Sequence, residues 1–224
     1  MILPAPSEIT PESVYLARRR FLRRGAALAA AFPLSLHAAG APADCAPVNV
    51  PGLLPGERPN RFEEITSYNN FYEYSTEKTA IKHLAVNLNP RPWQLRIEGE
   101  VEKPVTLDID AVAAPARQVE RIYRLRCVEG WSMVIPWQGV PLCELLSAVR
   151  PTSRAKYVRF VTLHDPERFY GQRRSTLPWP YTEALRIDEA MHPLVLLATG
   201  LYGKPLPNQN GAPVRLVVPW KYGY

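Results

Sequence analysis

Proline limits this chain more than any other residue: 24 of its 224 positions, about twice the usual frequency of roughly 5%. Each proline fixes φ and removes a backbone donor, so long uninterrupted helices are excluded over most of the length. Short strands, turns and ordered loops are what such a chain can build. A hydrophobic content of 46% with 21% charged residues is that of a soluble globular protein rather than a disordered one. The length suffices for one substantial core or two small domains.

Periodicity supplies the elements. Residues 94–101 alternate apolar and polar side chains, as a half-buried strand does. Residues 121–128 alternate again and place Tyr123, Leu125 and Cys127 on one face. Strands are also expected over 156–163, 193–199 and 213–219, the last fed by a turn at Asn210-Gly211. One helical turn is expected over 106–112, and a short helix over 141–149 with Pro141 in its first turn, where a missing N–H does no harm. The expected class is a β-rich α+β fold with many loops.

The formal charge of +6 is unevenly placed: five arginines and two acids give +3 over residues 1–43, leaving +3 for the rest. No basic run interleaved with aromatics follows, so nucleic acid is not an expected partner. Arg18-Arg19 stands ahead of Arg20-Phe-Leu-Arg23 and an alanine-rich stretch over 26–36. That order matches a twin-arginine signal peptide, and the apolar part is too short to anchor in a bilayer. Cleavage after Ala41 or Ala43 is expected, which assigns 1–43 to a leader and the mature protein to the periplasm. Residues 44–61 read as a proline-rich linker and 62–224 as the working domain. The chain stops just past an apolar strand, at Trp220-Lys-Tyr-Gly-Tyr224, and reads as cut short in its C-terminal part.

Three cysteines, Cys45, Cys127 and Cys143, leave at least one thiol unpaired or bound to something. There is no C-x-x-C pair, and the four histidines are scattered without H-E-x-x-H, so zinc has little support. Cys127 stands between Arg124 and Arg126 on one side and Glu129 and Trp131 on the other. Neighbouring cations favour the thiolate, the form that binds soft metals. Local chemistry leaves two other readings open: a small buried hydrophobe, or a disulfide with Cys143 after export.

The segment Arg121-Ile-Tyr-Arg-Leu-Arg-Cys-Val-Glu-Gly-Trp-Ser-Met-Val-Ile-Pro-Trp137 resembles the molybdenum-cysteine segment of the sulfite oxidase superfamily, most closely its bacterial periplasmic branch of methionine sulfoxide reductases. Four further segments agree in order: Tyr68-Asn-Asn-Phe-Tyr-Glu73, Asp188-Glu-Ala-Met-His-Pro-Leu194, Tyr202-Gly-Lys204, and Gln209-Asn-Gly-Ala-Pro-Val-Arg-Leu216 with Pro219-Trp-Lys-Tyr-Gly223.

The resemblance implies a sulfite-oxidase-type molybdopterin-binding fold with mixed sheets, and Mo-molybdopterin as cofactor. It makes Cys127 the molybdenum ligand. Asn69, Tyr72, Glu73, Thr162, Asn210 and Arg215 become cofactor contacts, with Arg215 suited to a phosphate and the asparagines to a pterin edge. Glu129 or Tyr222 would relay a proton. Oxygen would be removed from free and protein-bound methionine sulfoxide, a common oxidative lesion. Electrons would come from a quinone-linked membrane haem b subunit, and oxidised periplasmic proteins would be the substrates. Two rival readings are a sulfite-oxidising relative, with Arg173 and Arg174 holding the dianion, and a cofactor-free exported binding domain.

Overall fold

Alternating side chains fix where the sheets of this protein lie. The structure, a computed structural model, describes residues 45, 48–50, 52–114, 117–127 and 129–221. The expected leader and Tyr222 fall outside the described residues.

The elements follow in chain order. Helices α1 (Phe62–Ser67) and α2 (Ile81–Leu84) precede strands β1 (Gln94–Ile97) and β2 (Val105–Asp108) and the turn of helix α3 (Ile109–Val112). The central hairpin is β3 (Val119–Arg126) and β4 (Ser132–Pro141), followed by helix α4 (Leu142–Val149). Then come β5 (Tyr157–Val161), β6 (Thr182–Arg186), helix α5 (Ile187–Ala190), β7 (Leu196–Leu201), β8 (Lys204–Pro205) and β9 (Arg215–Val217).

β3, β4, β7, β8 and β9 form one sheet, with β4 between β3 and β7. β3 pairs with β4 along its whole length, from Val119 opposite Gly139 to Arg126 opposite Ser132. β9 and β8 share the other edge of β7. β1–β2 and β5–β6 are separate two-stranded sheets. The chain is thus strand-rich α+β, as its periodicity indicates. Every described strand pair runs antiparallel, so the parallel partner of a mixed sheet is not among the described residues.

The middle strands of the central sheet, β4 and β7, are buried on both faces. Tyr123, Ile135, Trp137, Leu196, Ala198 and Val217 pack with Ile65 on one side. On the other, Val140 and Leu197 meet the apolar face of α4 and Met191 beyond α5. A third cluster of Tyr74, Ile81, Ala85, Leu88 and Phe169 lies under the 71–88 segment.

Several boundaries differ from the sequence expectation for local reasons. The 106–112 stretch divides, because residues through Asp108 pair with β1 and the Asp108 carboxylate then caps the Asp110 N–H at 2.9 Å. The expected strand over 94–101 ends at Ile97. The 193–199 strand is shifted to Leu196–Leu201, because Leu142 N–H already bonds the Val195 carbonyl at the corner. Cys45 is bridged to Cys143 on α4 with the Cα atoms 5.4 Å apart. That pairing overturns the Cys127–Cys143 alternative and leaves Cys127 as a free, buried thiol. The leading segment is fastened to the hairpin: Asn60 exchanges bonds with Val134 at 3.0 and 2.8 Å, and Glu57 pairs with Arg124.

Candidate functional site

Strand alternation carries Cys127 inward at the point where β3 ends. Its N–H bonds the Trp131 carbonyl at 2.9 Å, while its own carbonyl accepts Gly130 N–H at 3.0 Å. The thiol therefore opens a tight turn, which Gly130 completes at φ +90°, a conformation glycine adopts without steric penalty. Only 1% of Cys127 is exposed. Two N–H donors face its sulfur: Asn70 Nδ2 at 3.3 Å and the Glu129 backbone at 3.5 Å. The flanking arginines do not. The period of two sends Arg124 and Arg126 to the opposite, exposed face, and Arg124 is spent on Glu57 and the Gly52 carbonyl. The expectation of cations beside the sulfur is corrected accordingly.

A cleft of about 370 Å³, counting the space open to solvent, lies over this turn. Asn69, Asn70, Trp131, Trp137, Asn210 and Arg215 line it. The C-terminal half of α1 aims two of them. The Ile65 carbonyl accepts from Asn69 Nδ2 at 2.9 Å and from Asn210 Nδ2 at 3.0 Å, which turns both amide oxygens away from the helix. Gln209 and Asn208, in the same 3₁₀ turn, bind the carbonyls of Thr66, Ala85 and Leu88, so the turn is held rigidly to α1 and the 85–88 segment.

Arg215 enters from β9. Its Nη1 donates to the Asn210 carbonyl at 3.2 Å, and the guanidinium lies 5.0 Å from the Trp137 ring. The residue keeps some exposed surface, but its guanidinium is enclosed, and burial pushes its pKa down to about 10. Among the described residues no carboxylate lies within ion-pair distance of it. It is a dehydrated cation without a counter-ion among the described residues.

Five buried side-chain polar atoms among the described residues have no hydrogen-bond partner: Asn69 Oδ1, Asn70 Oδ1, Asn210 Oδ1, Trp137 Nε1 and Tyr74 OH. Four of the five belong to residues that line this one cleft. Buried polar groups are almost always paired, with protein or ordered water, so a concentration of orphans makes this cleft the candidate site for a polar ligand. Three acceptors, an indole donor and a cation define what it must offer: several N–H groups and at least one negative charge.

At the other end of the turn, Glu129 is held by three donors. Lys78 Nζ lies 2.9 Å from Oε1, Tyr72 OH 3.1 Å from the same oxygen, and Trp131 Nε1 3.3 Å from Oε2. The Lys78 bond is the main reason the Glu129 carboxyl sits below the usual carboxylate range. Burial works against the Lys78 ammonium, yet its bonds to Tyr72 and Glu129 outweigh that and hold it above an ordinary lysine.

Of the residues expected from the sequence, Asn69, Asn210 and Arg215 line the cleft, and Cys127, Glu129 and Tyr72 are joined to it through the turn. Glu73 and Thr162 stand apart. Glu73 is buried behind the loop, its carboxyl pushed up by burial and partly relieved by a hydrogen bond from Thr162, which is itself exposed. The Glu73 carbonyl takes Gly171 N–H at 2.7 Å, an approach so close that a Cβ on Gly171 would lie 2.0 Å from the Tyr72 carbonyl oxygen. Arg173, expected as a dianion clamp, donates instead to the carbonyls of Pro166 and Glu167, and neither it nor Arg174 lines the cleft. Sequence reasoning missed Asn70, Lys78, Trp131 and Trp137. Asn70, Trp131 and Trp137 stand within quoted motifs, whereas Lys78 carries no local signal, because its ion-pair partner Glu129 is 51 positions away.

Residues 83–224 match the family model of the oxidoreductase molybdopterin binding domain. The chain belongs to the molybdopterin-binding oxidoreductases. It is 55% identical over 223 residues to the protein-methionine-sulfoxide reductase catalytic subunit of Xanthomonas campestris pv. campestris, covering 97% of this chain and 69% of the relative. The protein of the same name from Burkholderia mallei is 52% identical over 228 residues, with 97% and 69% covered. That from Ralstonia nicotianae is 52% identical over 229 residues, with 99% and 69% covered. Among solved structures, the sulfane dehydrogenase SoxCD of Paracoccus pantotrophus aligns with a TM-score of 0.49 at 19% identity, over 84% of this chain and 55% of that one. Molybdopterin carries what the open atoms of this cleft call for: N–H donors on the pterin edge and negative charge on its phosphate.

Proposed function

We propose that this chain, holding Mo-molybdopterin in the cleft, removes oxygen from methionine sulfoxide, both free and within oxidised periplasmic proteins. The observation that carries the reading is the set of unpartnered polar atoms and the uncompensated Arg215 gathered over Cys127. No group of three or more His, Cys, Asp or Glu side chains is assembled among the described residues. A metal held by one sulfur must bring its other ligands with it, as a pterin dithiolene does. The residues therefore fit the cofactor.

In this reading Cys127 Sγ is the protein's bond to molybdenum, and Asn69 and Asn210 accept from the pterin edge. Arg215 holds the phosphate through charge-assisted bonds. Tyr72 braces Glu129. Glu73 and Thr162, bonded to each other, support the 69–73 loop from behind, with any direct cofactor contact from them lying on that side. Bound cofactor supplies the two-electron couple for oxygen-atom transfer. The chain's own residues orient the sulfoxide and move protons: reduction consumes two electrons and two protons and yields thioether and water. The Glu129 carboxylate is the group placed to pass a proton at the mouth of the turn, with Tyr222 as the other candidate from the family pattern.

The relatives are named as catalytic subunits, which supports an electron-donating partner, here a quinone-linked membrane haem b subunit. Residues 18–23 support export by the twin-arginine route to the periplasm, with 1–43 as leader, 44–61 as linker and 62–224 as the catalytic domain. Molybdenum analysis tests the assignment: near-stoichiometric metal in the wild type and its loss in Cys127→Ser are expected, together with methionine sulfoxide reduction. Sulfite oxidation without sulfoxide reduction overturns it.

A further inference from the structure

Lys78 is the least exposed cation with an ion pair among the described residues, its side chain 13% accessible. It touches both arms of the site. Its backbone carbonyl accepts Asn69 N–H at 3.1 Å. Its ammonium donates to Tyr72 OH at 2.9 Å, lies 4.4 Å from the Tyr72 ring centroid, and pairs with Glu129 Oε1 at 2.9 Å. Glu129 in turn presents its backbone N–H to Cys127 Sγ at 3.5 Å and accepts the Trp131 indole. One side chain thus ties the 69–72 loop, which carries Asn69 and Asn70, to the 127–131 turn, which carries the sulfur.

We propose that Lys78 is a positioning residue that fixes the Cys127 sulfur by clamping these two segments together. The proposal rests on the reading of Cys127 as the molybdenum ligand. The physical reason is the location of Glu129. With a third of its side chain exposed, an unpaired Glu129 gains hydration by swinging outward. That motion carries its backbone N–H off the sulfur and withdraws the acceptor from Trp131. Tyr72 alone, a neutral donor, does not replace an ammonium. Groups that orient a metal ligand typically change affinity or activity by about 10–100-fold when removed.

The test compares cofactor-loaded wild type, Lys78→Met and Lys78→Arg, reading molybdenum content, the sulfur-to-molybdenum charge-transfer absorption, and kcat and KM for methionine sulfoxide. Lys78→Met is expected to shift the absorption band and lower kcat by roughly 10-fold or more with little change in KM, and Lys78→Arg to restore most of both. A Lys78→Met protein with wild-type band, metal content and kcat overturns the proposal. If Lys78→Met does not fold, Glu129→Gln reads the same clamp from its other end: a shifted band supports it and an unshifted band overturns it. Failure of the activity reading is separate: a molybdenum-loaded wild type that reduces no methionine sulfoxide sinks that reading and leaves the band comparison intact.

Discussion

Arg215→Met separates what the cleft does for its ligand from what it costs the fold. Burial lowers the Arg215 guanidinium to about 10. Against an ordinary value above about 12, that fall corresponds to roughly 3 kcal/mol, at about 1.36 kcal/mol per pH unit. The sign follows from protonation. Below pH 10 the folded and unfolded chains both carry the proton, so the penalty is fully present at neutral pH and is relieved only as pH rises past that value. Methionine keeps the apolar stem and removes the charge. It also gives up the bond to the Asn210 carbonyl and the stacking on Trp137, together about 1.5–2 kcal/mol. The cofactor-free variant is therefore expected to be more stable than the wild type by about 1–2 kcal/mol, a rise of roughly 2–8 °C in Tm for a domain of this size. The loaded protein behaves oppositely, because the phosphate loses a charge-assisted partner, and cofactor should be released about 10–100-fold more readily. Thermal melts of both forms, with molybdenum assayed after dialysis, decide the matter. A cofactor-free Arg215→Met that melts several degrees below the wild type, or a loaded one that keeps its cofactor as the wild type does, refutes the reasoning.

Two further outcomes are expected. Gly171→Ala places a Cβ 2.0 Å from the Tyr72 carbonyl oxygen and 2.8 Å from that of Glu73, so the 69–73 loop must move. A loss of about 2–4 kcal/mol follows, seen by urea denaturation, whereas Gly52→Ala, with nothing within 4 Å of the new carbon, should melt with the wild type. Glu73 has its carboxyl raised by burial, so the stability it contributes is complete below the ordinary carboxylate pKa and is lost as pH rises through the folded value. Glu73→Gln should flatten the stability of the cofactor-free protein as pH rises above the ordinary carboxylate range, and an unchanged slope in urea midpoints would count against that account.

Much of the fold was legible wherever one face of a strand is buried and the other is not. Residues 121–127 announce β3 by alternation alone, and the same alternation, taken one step further, already puts Arg124 and Arg126 on the wrong face to influence the sulfur. β4 was hidden. It is the longest strand, central and buried on both faces, so its apolar run has no period of two, and Pro136 reads as a breaker although its carbonyl still bonds Tyr202 N–H at 3.0 Å. At the site, Cys127, Asn69, Asn210 and Arg215 were reachable through motif order. Lys78 and the partner of Cys143 were not, because each acquires its role from a segment distant in sequence, and nothing in the local pattern records the encounter.

The bridge from Cys45 to Cys143 has a consequence for the order of events in the cell. If the chain takes the proposed twin-arginine route, it crosses the membrane already folded, and the reducing cytoplasm keeps its thiols apart until then. The two sulfurs must therefore be brought together by packing alone, with Cys143 seated in α4 and the leading segment laid across it, before any oxidant is met. Oxidation in the periplasm then records a conformation instead of producing one. On that route it would tie Cys45 to the core only after the chain has folded around its site. On that route the disulfide is a seal applied on arrival.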